Sequence, residues 1–375
     1  MTEIHGECDA RFEPVRTAFR TNFDLGHELG ASVAVTLHGE PVVDLWAGDA
    51  DGDGRPWERD TIVNVWSTTK TMAATCTLML ADRGDIDIAA PVATYWPEFG
   101  AHGKEGVTVA HVLGHTAGLP GWAPPIAPDV LYDWDRATAA LAAQEPWWEP
   151  GTESGYHALT QGYLEGEIVR RVTGRTIGTF FRDEVAAPLG ADFHIGLPEA
   201  DDDRAGRMVP PRTTLADAGF APTSIAARAL GSCPLTGAEA NTREWRASEI
   251  PAAGGTGNAR AVARVHSALA NGGAVDGIRL LSGEGVERIF TEQHHDVDRV
   301  LGVKMRMGTG FGLMNDTVPL TSNPRACFWG GWGGSVAVID LDEEMSVAYV
   351  MNRMANGMVG DFRGAMVVLA AYQSL

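Results

Sequence analysis

The stretches of this chain that favour extended backbone lie near its two ends, and what lies between them reads as helix and loop. Ala31–Leu37 and Pro41–Trp46 are rich in β-branched residues and flank His38-Gly39-Glu40, the pattern of a hairpin. Ala326–Trp329, Ser335–Asp340 and Ser346–Met351 repeat that texture, and the last two read as a second hairpin. From about 85 to 240, strand candidates are scarce. Helical stretches such as Arg136–Ala143 and Thr160–Val172, the latter closed by Gly174, alternate there with loops rich in Pro, Gly and Trp. Further helices are expected at Ser67–Arg83 (stopped by Gly84), Ala259–Ala270, Gly285–Phe290 and Val359–Tyr372. Strands at both ends with helices between imply one discontinuous α/β body, residues 1–85 plus 241–375, carrying a mainly helical domain, 86–240. A cleft between two such units is the expected place for a site.

Composition narrows the function. Twenty-nine basic against 49 acidic residues give a net charge of −20, a field that repels phosphate backbones and anionic lipid, so no nucleic-acid partner is expected. The longest apolar stretches, such as Met358–Ala371, are broken short of the roughly 18 residues a membrane span needs. Met1-Thr2-Glu3-Ile4-His5 has neither a basic flank nor an apolar run, so no secretory signal is expected and the location is read as cytoplasmic. Cys8, Cys76, Cys233 and Cys327 are far apart and form no C-x-x-C pair, which offers neither a zinc ribbon nor a disulfide framework. They read as inert buried thiols.

Familiar hydrolase and nucleotide signatures are missing: no G-x-S-x-G, no H-E-x-x-H, no P-loop, and no G-x-G-x-x-G after a strand. His294-His295-Asp296 could be read as metal ligands, but it has no partner at ligand spacing and is expected to be a solvated loop. Ser67-Thr68-Thr69-Lys70 is sharper. Two intervening residues put serine and lysine on one helical face, one turn apart. The helix's positive end favours anionic charge developing on the serine, and a desolvated lysine there can act as base. The same four residues would also suit a helix cap beside a solvated lysine. Cys76 stands on this helix and is the only cysteine expected near the chemistry.

Four other segments stand in order along the chain. They are His115-Thr116-Ala117-Gly118-Leu119, Tyr156-His157-Ala158 behind Pro150-Gly151-Thr152, Gly254-Gly255-Thr256-Gly257 before a helix, and Phe328-Trp329-Gly330-Gly331-Trp332-Gly333-Gly334-Ser335. Together with the tetrad they resemble the serine β-lactamase and penicillin-binding protein superfamily, in its class C-like branch, and within that the family VIII carboxylesterases. The likeness covers nearly the whole chain. It implies an α/β (α+β) serine β-lactamase-like fold, an antiparallel sheet flanked by helices with an inserted helical lobe.

Residue by residue, the resemblance makes Ser67 the acylated nucleophile, Lys70 the tetrad lysine and Tyr156 the opening tyrosine of Y-x-N. Ala158 departs from the asparagine of that motif. Trp329-Gly330-Gly331 falls on the K-T-G strand and is expected to bind substrate, but tryptophan cannot hold a carboxylate as that lysine does. The backbone N–H groups of Ser67 and Trp332 are the implied oxyanion hole. His115 is expected to be structural, and one or two of Trp96, Trp122, Trp134, Trp147 and Trp148 to wall a pocket. The implied activity is serine carboxylesterase action on small neutral esters, short-chain or aryl, with no metal or organic cofactor. A β-lactamase, D-aminopeptidase or small-amide hydrolase is the alternative, and a catalytically silent binding protein the second. Whether Lys70 or Tyr156 is the immediate base, and whether the chain forms a homo-oligomer, stay open.

Overall fold

The computed structural model describes residues 2–213 and 219–375. A nine-stranded antiparallel sheet joins the two ends of the chain. Three strands come from the start, β1 (Ile4–Cys8), β2 (Gly30–Leu37) and β3 (Glu40–Gly48). Six come from the end: β4 (His294–Val297), β5 (Lys304–Met307), β6 (Gly312–Leu313), β7 (Ala326–Gly330), β8 (Val336–Asp340) and β9 (Met345–Met351). Their order is β1-β3-β2-β9-β8-β7-β6-β5-β4. The seam is β2 against β9, in register from Leu37 opposite Met345 to Ala31 opposite Met351. The expected first hairpin is present. Its two linking residues, His38 (φ 51°) and Gly39 (φ 88°), both take positive φ, the turn geometry that matches strand twist.

Six longer helices cover this frame: α1 (Glu13–Asp24), α2 (Thr69–Asp82), α3 (Trp134–Ala143), α4 (Thr160–Thr173), α5 (Ala259–Ala270) and α6 (Phe362–Gln373). The period-two alternation of β9 shows how both sheet faces are used. Ser346 turns to α5, donating its hydroxyl to Ala263 O at 2.8 Å, while Tyr349 turns to α1 and meets Phe19 edge-on at 6.4 Å. With both faces covered, β2 and β9 are buried along almost their whole length.

Helix α2 is buried on every side from Thr69 to Ala81. A helix apolar all round belongs at the centre of a fold. It packs against α4, which packs in turn against α3. A small sheet of Val63–Asn64, Gly255–Gly257 and Phe193–Ile195 lies at the start of α2.

Three differences from the sequence reading have a local cause. Helix α6 starts at Phe362 rather than Val359, because Gly360 takes φ 73° and the Asp361 carboxylate caps the first turn by accepting from Arg363 N at 2.9 Å. The expected Gly285–Phe290 helix is a turn from Gly283 to Glu287, capped by Ser282, that tightens into 3₁₀ geometry at Arg288–Phe290. His294-His295-Asp296 is part of edge strand β4 paired to β5, not a loop, since backbone pairing with Met307, Arg306 and Met305 outweighs its polarity.

Candidate active site

The turn into α2 is built to present Ser67. Trp66, just before it, takes φ 49°, a left-handed conformation that bulky residues adopt only when their surroundings impose it. Here the indole is clamped by Trp245 and Trp332, with ring centroids 5.3 and 4.8 Å away. Thr69 Oγ1 donates to Trp66 O at 2.5 Å and accepts from Gly255 N at 2.9 Å, tying the turn to the small sheet. On the other side Ser335 Oγ donates to Val65 O at 2.7 Å and meets Thr68 Oγ1 at 3.0 Å. The serine is thus fixed between the end of β7 and the small sheet.

Lys70 lies one turn on, 2% exposed, with Nζ 3.4 Å from Ser67 Oγ, 2.7 Å from Ala158 O and 2.9 Å from Ala252 O. Burial pushes its ammonium pKa well below the ordinary lysine value, against the opposing pull of Glu165. A neutral amine has two N–H donors and one lone pair. In that neutral form the two short carbonyl contacts would occupy the donors and leave the lone pair facing Ser67 Oγ. Tyr156 OH donates to Ser67 Oγ at 2.5 Å, and burial raises this phenol above its ordinary value, keeping it protonated.

The tyrosine is held from behind. Asp298, fully buried, accepts from Tyr156 N at 2.9 Å and from Ser154 Oγ at 2.6 Å. The ring packs against His115 and Trp329 at 5.2 and 5.5 Å. His115 Nδ1 accepts from His157 N (3.1 Å), and His157 Nε2 accepts from Leu119 N (3.0 Å). Burial holds both imidazoles neutral, that of His157 at about 3. They brace the two loops.

Beside the serine is an uncharged cavity of about 140 Å³, the size that admits a benzene ring. Its walls include Ser67, Tyr156, Trp66, Trp122, Trp332 and the segment 229–236, with no Asp, Glu, Lys or Arg among them. Trp329, Gly330 and Gly331 do not line this cavity: the Trp329 ring is turned against His115 and Tyr156. The two glycines are required by close approach, since a Cβ on Gly330 would lie 2.4 Å from Gly360 N and one on Gly331 2.3 Å from Val65 O. Cys233 shares this cavity wall with Ser67, whereas Cys76, the cysteine expected near the chemistry, does not line it. Burial pushes the Cys233 thiol up to about 12, which removes nucleophilic character.

Trp332 both lines the cavity and, among the described residues, keeps a backbone N–H with no protein acceptor. No group of three or more His, Cys, Asp and Glu side chains among the described residues could hold a metal ion.

The pattern that defines the beta-lactamase family matches residues 15–371. The chain belongs to the beta-lactamase family. Within it, the protein is 38% identical to the esterase/beta-lactamase LipL of Mycobacterium tuberculosis, over 95% of this chain and 84% of that one. It is 28% identical to the esterase EstB of Burkholderia gladioli, over 88% of each. Its fold superposes on the crystal structure of a family VIII carboxylesterase with a TM-score of 0.93 and 46% identity over the whole of both chains. The antiparallel sheet flanked by helices is therefore the beta-lactamase-like fold.

One residue of this beta-lactamase family site escaped the sequence reading. Glu165 on α4 is buried with both carboxylate oxygens unpartnered among the described residues, and burial raises it to about 8 while Lys70 pulls it back. An acid inside the tightly packed run Gly162-Tyr163-Leu164-Glu165-Gly166 was the available signal. Because Glu165 favours the charged form of Lys70, Glu165→Leu lowers the lysine pKa further. The acid limb of Ser67 modification by an activated phosphonate is expected to move to lower pH. The melting temperature is expected to rise, since an unpartnered buried polar group costs about 1–3 kcal/mol. An unmoved acid limb would show that the carboxyl does not act on Lys70.

Proposed function

We propose that this protein is a serine carboxylesterase that hydrolyses small neutral esters, short-chain or aryl, through an acyl-enzyme on Ser67. The observation that carries the reading is Ser67 Oγ, 2.5 Å from Tyr156 OH and 3.4 Å from Lys70 Nζ, on the wall of a cavity without charged side chains. Likeness to two esterases and to a family VIII carboxylesterase supports it.

In this reading Lys70, neutral through burial, takes the Ser67 proton as Oγ bonds to the ester carbonyl carbon. The N–H groups of Ser67 and Trp332 hold the oxyanion. The carbonyl then re-forms, the C–O bond to the alcohol breaks, and Tyr156 passes the proton from Lys70 to the departing oxygen. Water attacks the acyl carbon, gives a proton to the same pair, and the acid leaves as Ser67 Oγ is reprotonated. The reaction takes place between the sheet body, 1–85 plus 241–375, and the helical domain, 86–240. No helix among the described residues is long and apolar enough to cross a membrane. All four cysteines are unpaired, which fits the reducing cytoplasm to which we assign the protein.

Amide-directed alternatives lose their anchor, because no cation lines the cavity to hold a substrate carboxylate. A charge-assisted hydrogen bond of that kind is worth about 1.5–3 kcal/mol. Within a panel of C2–C6 p-nitrophenyl esters, the best substrate is expected to exceed nitrocefin in kcat/KM by at least tenfold. Equal or faster nitrocefin turnover would sink the esterase assignment.

Ser67→Ala is expected to fold, as judged by circular dichroism, and to lose all burst-phase release and phosphonate labelling; a residual burst would place the nucleophile elsewhere.

Lys70→Ala and Tyr156→Phe should each remove most of kcat, and the double variant should be little worse than the poorer single, as for groups that act as one unit. Fully multiplicative losses would assign them to separate steps.

A further inference from the structure

We propose that Arg363 is a positioning residue for ester hydrolysis: its buried guanidinium fixes the glycine loop that aims the Trp332 N–H into the oxyanion hole. The inference rests on the Ser67 reading given above.

The loop Gly331-Trp332-Gly333-Gly334 has little rigidity of its own. Gly333 and Gly334 take φ values of 98° and 134°, and glycine loses more freedom on ordering than any other residue. Much of what orders it comes from the segment 355–363. The peptide that carries the Trp332 N–H is oriented through its carbonyl, Gly331 O, which accepts from Gly360 N at 3.1 Å and Gly334 N at 3.2 Å. Gly333 N donates to Gly357 O, and Gly333 O accepts from Ala355 N, both at 2.9 Å. Gly331 N donates to Ser335 O at 2.8 Å, and Arg363 Nη2 adds a further bond to that same Gly333 carbonyl. The approach is close, since a Cβ on Gly334 would lie 2.4 Å from Nη2.

The guanidinium is itself held on every edge and is 2% exposed. Nε and Nη2 donate to the Asp361 carboxylate over 2.6–3.2 Å. Nη1 meets Glu28 Oε1 at 3.0 Å, Arg353 O at 2.9 Å and His27 O at 3.3 Å. Tyr349 OH donates to the same Glu28 oxygen. A single planar cation therefore fastens the loop to the start of α6, to the strand end after β9 and to the connection from α1 to β2. Lysine, a point charge on a flexible stem, cannot reproduce that fork.

The test compares wild type, Arg363→Lys, Arg363→Met and Asp361→Asn. Active sites are titrated with a fluorescent phosphonate, so that every rate is per competent serine. The measurements are kcat and KM on p-nitrophenyl acetate and Ki for phenylboronic acid, which forms a tetrahedral anion on a serine. Removing one oxyanion donor lowers kcat by about 10²–10³. Displacing one is expected to lower kcat ten- to a hundredfold in both Arg363 variants, with KM within twofold and boronate binding weakened in step with kcat. Asp361→Asn, which keeps the arginine but loosens it, is expected to show a several-fold loss of the same pattern. It decides the matter if the Arg363 variants do not fold. Folded variants that keep wild-type kcat and boronate affinity per titrated site would overturn the inference, as would losses confined to the number of competent sites. If wild type itself shows no labelling at Ser67, the esterase reading falls and this inference with it.

Discussion

A lysine side chain with almost no access to water sits where α2 begins, and much of the molecule is arranged around it. Lys70 Nζ touches the serine of its own turn, the carbonyl of Ala158 just before α4, and the carbonyl of Ala252 just before the small central sheet. An ammonium buried at this depth without a hydrogen-bonded counterion costs several kcal/mol, and giving up the proton is the cheaper outcome. Helix α2 is enclosed on every side, which keeps the amine away from bulk water. Burial in the core, and not a neighbouring charge, is what disfavours the ammonium.

The serine side of the site is governed by crowding. Trp66, Trp245 and Trp332 form a block that holds a left-handed backbone residue directly before Ser67. The same block supplies part of an uncharged wall. Trp329, off that wall, packs on His115 and Tyr156 and supports the phenol. The cavity's lack of charge agrees with the character of the chain as a whole, whose excess of acidic residues discourages anions from approaching.

The frame could be read from the residues where periodicity runs long enough. The hairpin at His38-Gly39, the seam strands and α5 follow from β-branched runs and helical spacing. Strands β4, β5 and β6 could not be read in this way, because segments of two to four residues with polar positions carry no alternation. The tetrad, Tyr156 and the Trp-Gly-Gly run were legible as positions along the chain. The direction of a side chain was not, so the packing of the Trp329 ring on His115 and Tyr156 could not be foreseen. Glu165, Cys233 and the wall formed by 229–236 depend on contacts between segments tens of residues apart, and no local pattern encodes them. Glu28 and Arg363 are the extreme case: 335 positions separate them, and they form an ion pair at 3.0 Å.

Asp298 has a consequence for how the protein comes apart. It lies in the turn after β4, yet its carboxylate accepts from Ser154 Oγ and Tyr156 N in the helical region as well as from Val300 N and Leu301 N in its own turn. The adjacent Arg299 N donates to Ser154 O at 2.9 Å. Separating the helical region from the sheet would strand a buried carboxylate and several amides at once, so neither part can loosen while the other stays whole. Heating should therefore melt sheet and helices in a single endotherm, and the loop that carries Tyr156 should exchange its amide hydrogens as slowly as the sheet to which it is bound.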